Sequence, residues 1–306
     1  MSFDRLIENI ERLNNPTVAG LDPKLEYIVD DIKERAFEKY GGGLEGAAAA
    51  VLEWGKGMID ALCGIVPAVK PQLAYYERFG WQGMRCLQQT IEYARVNGMF
   101  VIADGKRNDI GSTMEAYSDA YLGRVALPDG ETAPFCADAL TVNGYLGSDG
   151  ILPALARCDL YDKGIFVLVK TSNPSSGELQ DRRLDEGTVS EETAKLCQRL
   201  GEASRRRSKY GYSAIGAVVG ATYPEQLAAL RREFPGILFL VPGYGAQGGG
   251  AADVAGAFDE NGRGAIVNSS RGIICAWKKR PDTDWQTAAR DEAVNMRDAI
   301  ARALGR

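Results

Sequence analysis

Apolar residues in this chain gather in short unbroken runs instead of alternating with polar ones. Eight such runs, rich in β-branched residues, lie at Thr17–Leu21, Ile65–Lys70, Met99–Asp104, Ala137–Val142, Gly164–Lys170, Ala214–Gly220, Ile237–Val241 and Gly264–Asn268. A strand with one wet face alternates, whereas a continuous run fits a strand covered on both faces, as in parallel sheets. Helical periodicity fills the intervals at Leu44–Cys63, Trp81–Asn97, Glu191–Tyr210, Pro224–Arg232 and Trp285–Leu304. Ahead of the first run, Phe3, Leu6, Ile7, Ile10 and Leu13 recur at helical spacing, so Met1–Pro16 reads as an amphipathic helix. The repeated strand–helix rhythm predicts an α/β fold. The count of eight favours a (β/α)8 TIM barrel, a single domain over residues 1–306 with an N-terminal helix, above an open doubly wound sheet. Two stretches interrupt the rhythm as insertions. Asp30–Gly43 ends in three glycines, and Arg124–Cys136 carries Pro128-Asp129-Gly130 and Pro134, a loop signature.

Composition narrows the chemistry. Of 306 residues, 45% are hydrophobic and 25% charged, which is ordinary for a globular protein. The net charge of −5 gives no electrostatic footprint for nucleic acid. There is no histidine, which excludes a Ser-His-Asp triad, a Cys-His dyad and any His-ligated metal. Acid–base work therefore falls to Asp, Glu, Lys, Cys or Tyr. The six cysteines are scattered with no C-x-x-C pair, as expected of reduced thiols in a cytoplasmic protein. The N-terminus lacks a basic-then-apolar leader pattern, and no apolar run approaches the ~18 residues of a membrane span. Arg205-Arg206-Arg207-Ser208-Lys209 reads as a solvated helix end, favoured there by the helix dipole.

Barrel active sites lie at the C-terminal ends of the strands. There the sequence places Asp22 after the first run, Lys70 at the end of the second, and Asp104, Lys106 and Asp109 at and beyond the third. Desolvating one such charge costs several kcal/mol unless it is paired. One Asp–Lys pair would be an ordinary rim salt bridge. Two lysines and two or three aspartates at one mouth form an alternating network in which opposite charges keep each other ionised. Asp104 and Lys106 are two apart, so on extended backbone they point the same way. Such a network would meet an incoming carboxylate with fixed negative charge and offer a fixed ammonium as proton donor.

A second constellation suits phosphate, which commonly binds the loops after the seventh and eighth strands of a barrel. The seventh run ends in a Gly-rich loop offering Gln247, and the eighth leads to Arg271, a fork donor matched to phosphate. Gly243-Tyr244-Gly245-Ala246-Gln247-Gly248 also matches the dinucleotide pattern G-x-G-x-x-G. That pattern needs an acid near the end of the next strand to hold a ribose, and the next run ends in Asn268-Ser269-Ser270.

At these residues the sequence resembles the orotidine 5'-phosphate decarboxylase family in its longer bacterial form, over roughly residues 15 to 275. Asp104-Gly105-Lys106-Arg107-Asn108-Asp109-Ile110 is similar to the family's D-x-K-x-x-D-I signature, and Lys70 completes a Lys-Asp-Lys-Asp tetrad. Thr171-Ser172-Asn173-Pro174 and Pro242–Gly249 are similar to its base and phosphate loops. The resemblance implies removal of CO2 from C6 of orotidine 5'-monophosphate to give uridine 5'-monophosphate, with no metal and no organic cofactor. It implies Lys106 as proton donor to C6 and Asp104 against the substrate carboxylate. Lys70 and Asp109 complete the network, and Lys70 and Asp22 reach the ribose hydroxyls. Ser172 bonds the pyrimidine edge; Gln247 and Arg271 hold the phosphate. It also implies a homodimer, in which Asp109 and Thr113 reach the neighbouring subunit's site.

Two rivals can be weighed on residues. Sugar-phosphate relatives such as 3-keto-gulonate 6-phosphate decarboxylase and hexulose-phosphate synthase resemble this signature but use Mg²⁺, held partly by an acid at the end of the second strand. Here that position is Lys70, which would repel the ion. A phosphate-binding barrel without catalysis would keep Gln247 and Arg271 but has no use for paired lysines and aspartates at one rim.

Overall fold

The structure, a computed structural model, describes residues 2–245 and 248–306. Eight parallel strands close into a barrel in sequential order: β1 (Thr17–Leu21), β2 (Ala68–Pro71), β3 (Phe100–Arg107), β4 (Ala139–Val142), β5 (Gly164–Lys170), β6 (Ile215–Val219), β7 (Phe239–Val241) and β8 (Ala265–Ser269), with β8 pairing back onto β1. Each matches an apolar run to within three residues at either end. Helices between the strands cover the outside. They bury a large shell that includes Trp54, Met58, Leu87, Ile91 and Ile300, while a second, smaller cluster fills the barrel interior.

The interior cluster explains the N-terminal helix, Ser2–Leu13. Phe3, Leu6 and Ile7 enter the lower end of the barrel beside Phe100 and Phe166, with the Phe3 and Phe166 ring centres 4.8 Å apart. Gly164 makes room, since a Cβ there would come within 2.6 Å of the Phe3 ring. Polar contacts fix the plug. Ser2 Oγ donates to the Asp138 carbonyl at 3.1 Å, Arg5 pairs with the buried Asp138 carboxylate, and Asp4 accepts from Ser208 Oγ at 2.6 Å.

Some local expectations need correction. Arg124–Cys136 is not a plain loop: Val125–Leu127 and Gly130–Thr132 pair as an exposed antiparallel hairpin. Its turn residues were legible, but three-residue strands carry too little pattern to register. Asp30–Gly43 contains a helix, Asp30–Tyr40, that buries only Ile32 and Ala36. Helices Gly111–Tyr121 and Leu152–Tyr161 also lacked a readable stripe, because each buries just three side chains. The helix expected to reach Tyr210 ends at Arg205, and beyond it Arg206, Arg207 and Lys209 make surface pairs with Glu202, Asp159 and Glu8. All six cysteines are free, and burial pushes the Cys86 and Cys197 thiols up to about 12. No helix among the described residues is long and apolar enough to cross a membrane.

The plug yields a stability prediction. Phe3 is almost fully buried, so Phe3→Ala should lower unfolding stability by about 3 to 5 kcal/mol. Urea titration followed by tryptophan fluorescence measures it. A change below about 1 kcal/mol would show that the helix only rests on the barrel.

Candidate active site

Alternate residues of each strand point inward, and this parity builds the site. The interior apolar layers are made by Val18, Ala68, Phe100, Ile102, Ala139, Phe166, Val218, Leu238, Leu240 and Ile266. Two positions further along, the same parity gives Lys70, Asp104, Thr141 and Asn268; four further gives Asp22 and Gln72. All six line one cavity of about 430 Å³ at the C-terminal mouth, together with Lys106, Ser172, Gln180 and Ser270. β1 and β8 approach closely here: a Cβ on Gly20 would lie 1.9 Å from Ser270 Oγ.

Asp104 is the centre of the cluster. Its Oδ2 accepts from Lys70 Nζ at 2.5 Å and Gln72 Nε2 at 3.0 Å. Its Oδ1 accepts from Lys106 Nζ at 2.7 Å and Thr141 Oγ1 at 2.9 Å. Each oxygen thus receives one ammonium and one neutral donor. Burial works to raise the Asp104 pKa, but Lys70 and Lys106 outweigh it and hold the carboxyl well below the ordinary range. Burial likewise opposes the charge on Lys70, yet Asp104 and Asp22 push its pKa above the usual lysine value. Both groups are therefore held ionised.

The sequence expectation that Asp104 and Lys106 meet holds, but the stated reason does not. The strand is not extended between them. Ala103 pairs with Leu140 and Arg107 with Val142, so four steps of β3 span two of β4. Lys106 takes up this slip in a left-handed conformation, φ +49°, which is uncommon outside glycine.

The remaining expected residues divide. Asp22 lines the cavity, and its Oδ1 is buried with no donor among the described residues; Asn268 Oδ1 is in the same state. Ser172 lines the cavity on the loop after β5. That loop is pinned where Lys170 binds both oxygens of Asp181 at 2.8 Å, and where the Gln180 amide brackets Thr171 N–H and Oγ1, each at 2.8 Å. Arg271 begins the short helix Arg271–Ile274 directly after Ser270 and is exposed. Gln247 lies outside the described residues. Asp109 is not brought to the cluster of its own chain: its Oδ1 accepts from the Ile110 N–H at 2.8 Å. Thr113 is exposed on the first turn of helix Gly111–Tyr121. Sequence reasoning missed Gln72, Thr141, Gln180 and Asn268. Strand parity would have found three of them, since Gln72, Thr141 and Asn268 continue inward-facing rows.

A larger groove of about 860 Å³ runs past Trp277 and Trp285 on the outer face. Within it Arg35 pairs with Asp31 and Glu53, and Arg280 pairs with Asp291 beside it. It holds no counterpart of the Asp104 cluster.

Fold and site together define a (β/α)8-barrel enzyme with lysines and aspartates clustered in the cavity at its C-terminal mouth. Residues 56–282 match the Orotidine 5'-phosphate decarboxylase / HUMPS family, to which the chain belongs. It is 46% identical over 297 residues to the orotidine 5'-phosphate decarboxylase of Rhodopirellula baltica, covering 95% of this chain and 96% of that one. It is 39% identical to that of Caldicellulosiruptor bescii, over 98% of both chains. The solved Leishmania donovani OMP decarboxylase superposes with a TM-score of 0.71 at 30% identity, covering 97% of this chain and 99% of that one.

The electrostatics predict a pH signature. The folded Asp104 pKa lies below its unfolded value, so its stabilisation is present above about pH 4 and lost as pH falls through the folded value. Asp104→Asn strands a buried Lys70 and should cost roughly 3 kcal/mol near neutrality. That gap from wild type should stay level between about pH 5 and 8 and shrink below about pH 4. Urea midpoints of both proteins across pH test this. A gap that widens on acidification would contradict the assignment.

Proposed function

We propose that the Lys70–Asp104–Lys106 network carries out decarboxylation of orotidine 5'-monophosphate, with Lys106 as the proton donor. The chain is a carboxy-lyase converting that substrate to uridine 5'-monophosphate and CO2 in pyrimidine synthesis, as the near full-length relatives of that name support. The observation that carries the mechanism is the Asp104 carboxylate, held ionised between two ammonium groups at the floor of the cavity.

The C6–carboxylate bond breaks, its electron pair stays on C6, and CO2 leaves neutral. Lys106 Nζ then transfers a proton to C6. Asp104 repels the substrate carboxylate in the ground state and loses that repulsion as CO2 departs. The Lys106 ammonium faces the charge developing at C6, in place before reaction begins, so little reorganisation is needed. Binding energy from the remote phosphate, held by Arg271 and Gln247, offsets the unfavourable placement of the carboxylate. Asp22 and Lys70 hold the ribose hydroxyls; the unpartnered Asp22 Oδ1 suits such a donor. Ser172, on its pinned loop, reads the pyrimidine edge.

Lysine at position 70 also supports this reading against the Mg²⁺-dependent branch of the family. Its raised pKa keeps a cation where those enzymes need an acid. One domain in a homodimer completes the proposal. Asp109 and Thr113 sit outside their own cavity next to the exposed Ile110, and this arrangement suits residues that complete a neighbour's site.

Loss of orotate absorbance with orotidine monophosphate, EDTA present throughout, tests the reaction. Wild type should turn over, and Lys106→Ala should lose activity by at least about a thousandfold while staying folded. Near-normal turnover in that variant would remove Lys106 from its role. For the dimer, Lys106→Ala and Asp109→Ala should each be inactive alone. Mixed and reassociated, they should regain about a quarter of wild-type activity, because half the dimers then carry one intact site. No recovery after verified subunit exchange would refute the shared site.

A further inference from the structure

Thr141 is 1% exposed, on β4, and has no charge to mark it. Its hydroxyl nevertheless stands between the two groups that matter most. The Lys106 backbone N–H donates to Thr141 Oγ1 at 2.9 Å, and Thr141 Oγ1 donates to Asp104 Oδ1 at 2.9 Å. The directions are forced. A backbone N–H can only donate and an ionised carboxylate can only accept, so the hydroxyl must accept from the first and give its single proton to the second. Lys106 Nζ closes the ring onto the same Asp104 oxygen at 2.7 Å.

This ring sits where the sheet ladder fails. The slip between Ala103 and Arg107 leaves Lys106 without a pairing residue on β4, in a left-handed conformation. A strained backbone of this kind persists only where its surroundings fix it. Here the Thr141 hydroxyl receives the N–H that the ladder cannot.

We infer that Thr141 is a positioning residue: one hydroxyl fixes both the Asp104 carboxylate and the backbone from which Lys106 reaches C6. The inference rests on the functional reading above. When Lys106 gives up its proton, its side chain becomes neutral and its hold on Asp104 weakens. The hydrogen bond Thr141 accepts from the Lys106 backbone and the one it donates to Asp104 do not depend on that charge, so the geometry outlasts the transfer.

The test compares Thr141→Ser with Thr141→Ala, which differ only in the hydroxyl. Decarboxylation kinetics and uridine monophosphate affinity are measured for both, with Thr141→Val as the variant of native volume should alanine fail to fold. The serine variant should keep kcat within about threefold of wild type. The alanine or valine variant should lose about a hundredfold in kcat, since small misplacements of a reacting group cost that much. KM and product affinity should stay within about threefold in all. Equal kcat in the serine and hydroxyl-free variants, or a loss confined to KM, would overturn the inference. Wild-type turnover in the same assay judges the functional reading separately.

Discussion

The Asp104 carboxylate accepts four donors at the top of the barrel interior, and the rest of the site is arranged around that acceptance. A carboxylate so deeply buried is tolerable only because opposite charges lie against it. The two lysines supply that charge. The two neutral donors, Gln72 and Thr141, leave the carboxylate no lone-pair direction in which to swing. An anionic substrate group entering this cluster meets a negative charge that can neither turn away nor take up a proton. The same carboxylate holds the Lys106 ammonium at the cavity wall, 2.7 Å from Asp104 Oδ1.

A barrel suits this task because it stacks layers. Below the charged layer lie Ile102, Phe166, Val218, Leu240 and Ile266, and below them the N-terminal helix closes the lower end with Phe3, Leu6 and Ile7. The charges therefore rest on packed hydrocarbon, where their interactions are screened less than they would be in water. Sealing the floor of the barrel and strengthening the electrostatics at its mouth are two effects of one packed interior.

The barrel strands were legible because each is buried on both faces and reads as an unbroken apolar run. The charged residues at their ends were legible for a related reason: Lys70 and Asp104 are conspicuous where hydrocarbon is expected. Thr141 and Gln72 were not, because a neutral polar residue at a strand end raises no alarm and their value lies in what they touch across strands. The helices Gly111–Tyr121 and Leu152–Tyr161 were hidden because their buried stripes are thin. The bulge at Lys106 was hidden because its cause, a register slip against β4, belongs to the pairing and not to either strand alone.

The N-terminal helix has a consequence for how the chain is made. Its Asp4 is held by Ser208 and by the Lys209 N–H, more than 200 positions later, and its apolar face needs Phe166 on β5. On the ribosome, the helix emerges well before Phe166 and 204 positions ahead of Ser208. At ordinary synthesis rates it waits on the order of ten seconds or more with Phe3, Leu6 and Ile7 uncovered. The helix can therefore complete its contacts only after Ser208 and Lys209 have followed it out, with the barrel strands β6, β7 and β8 still to come.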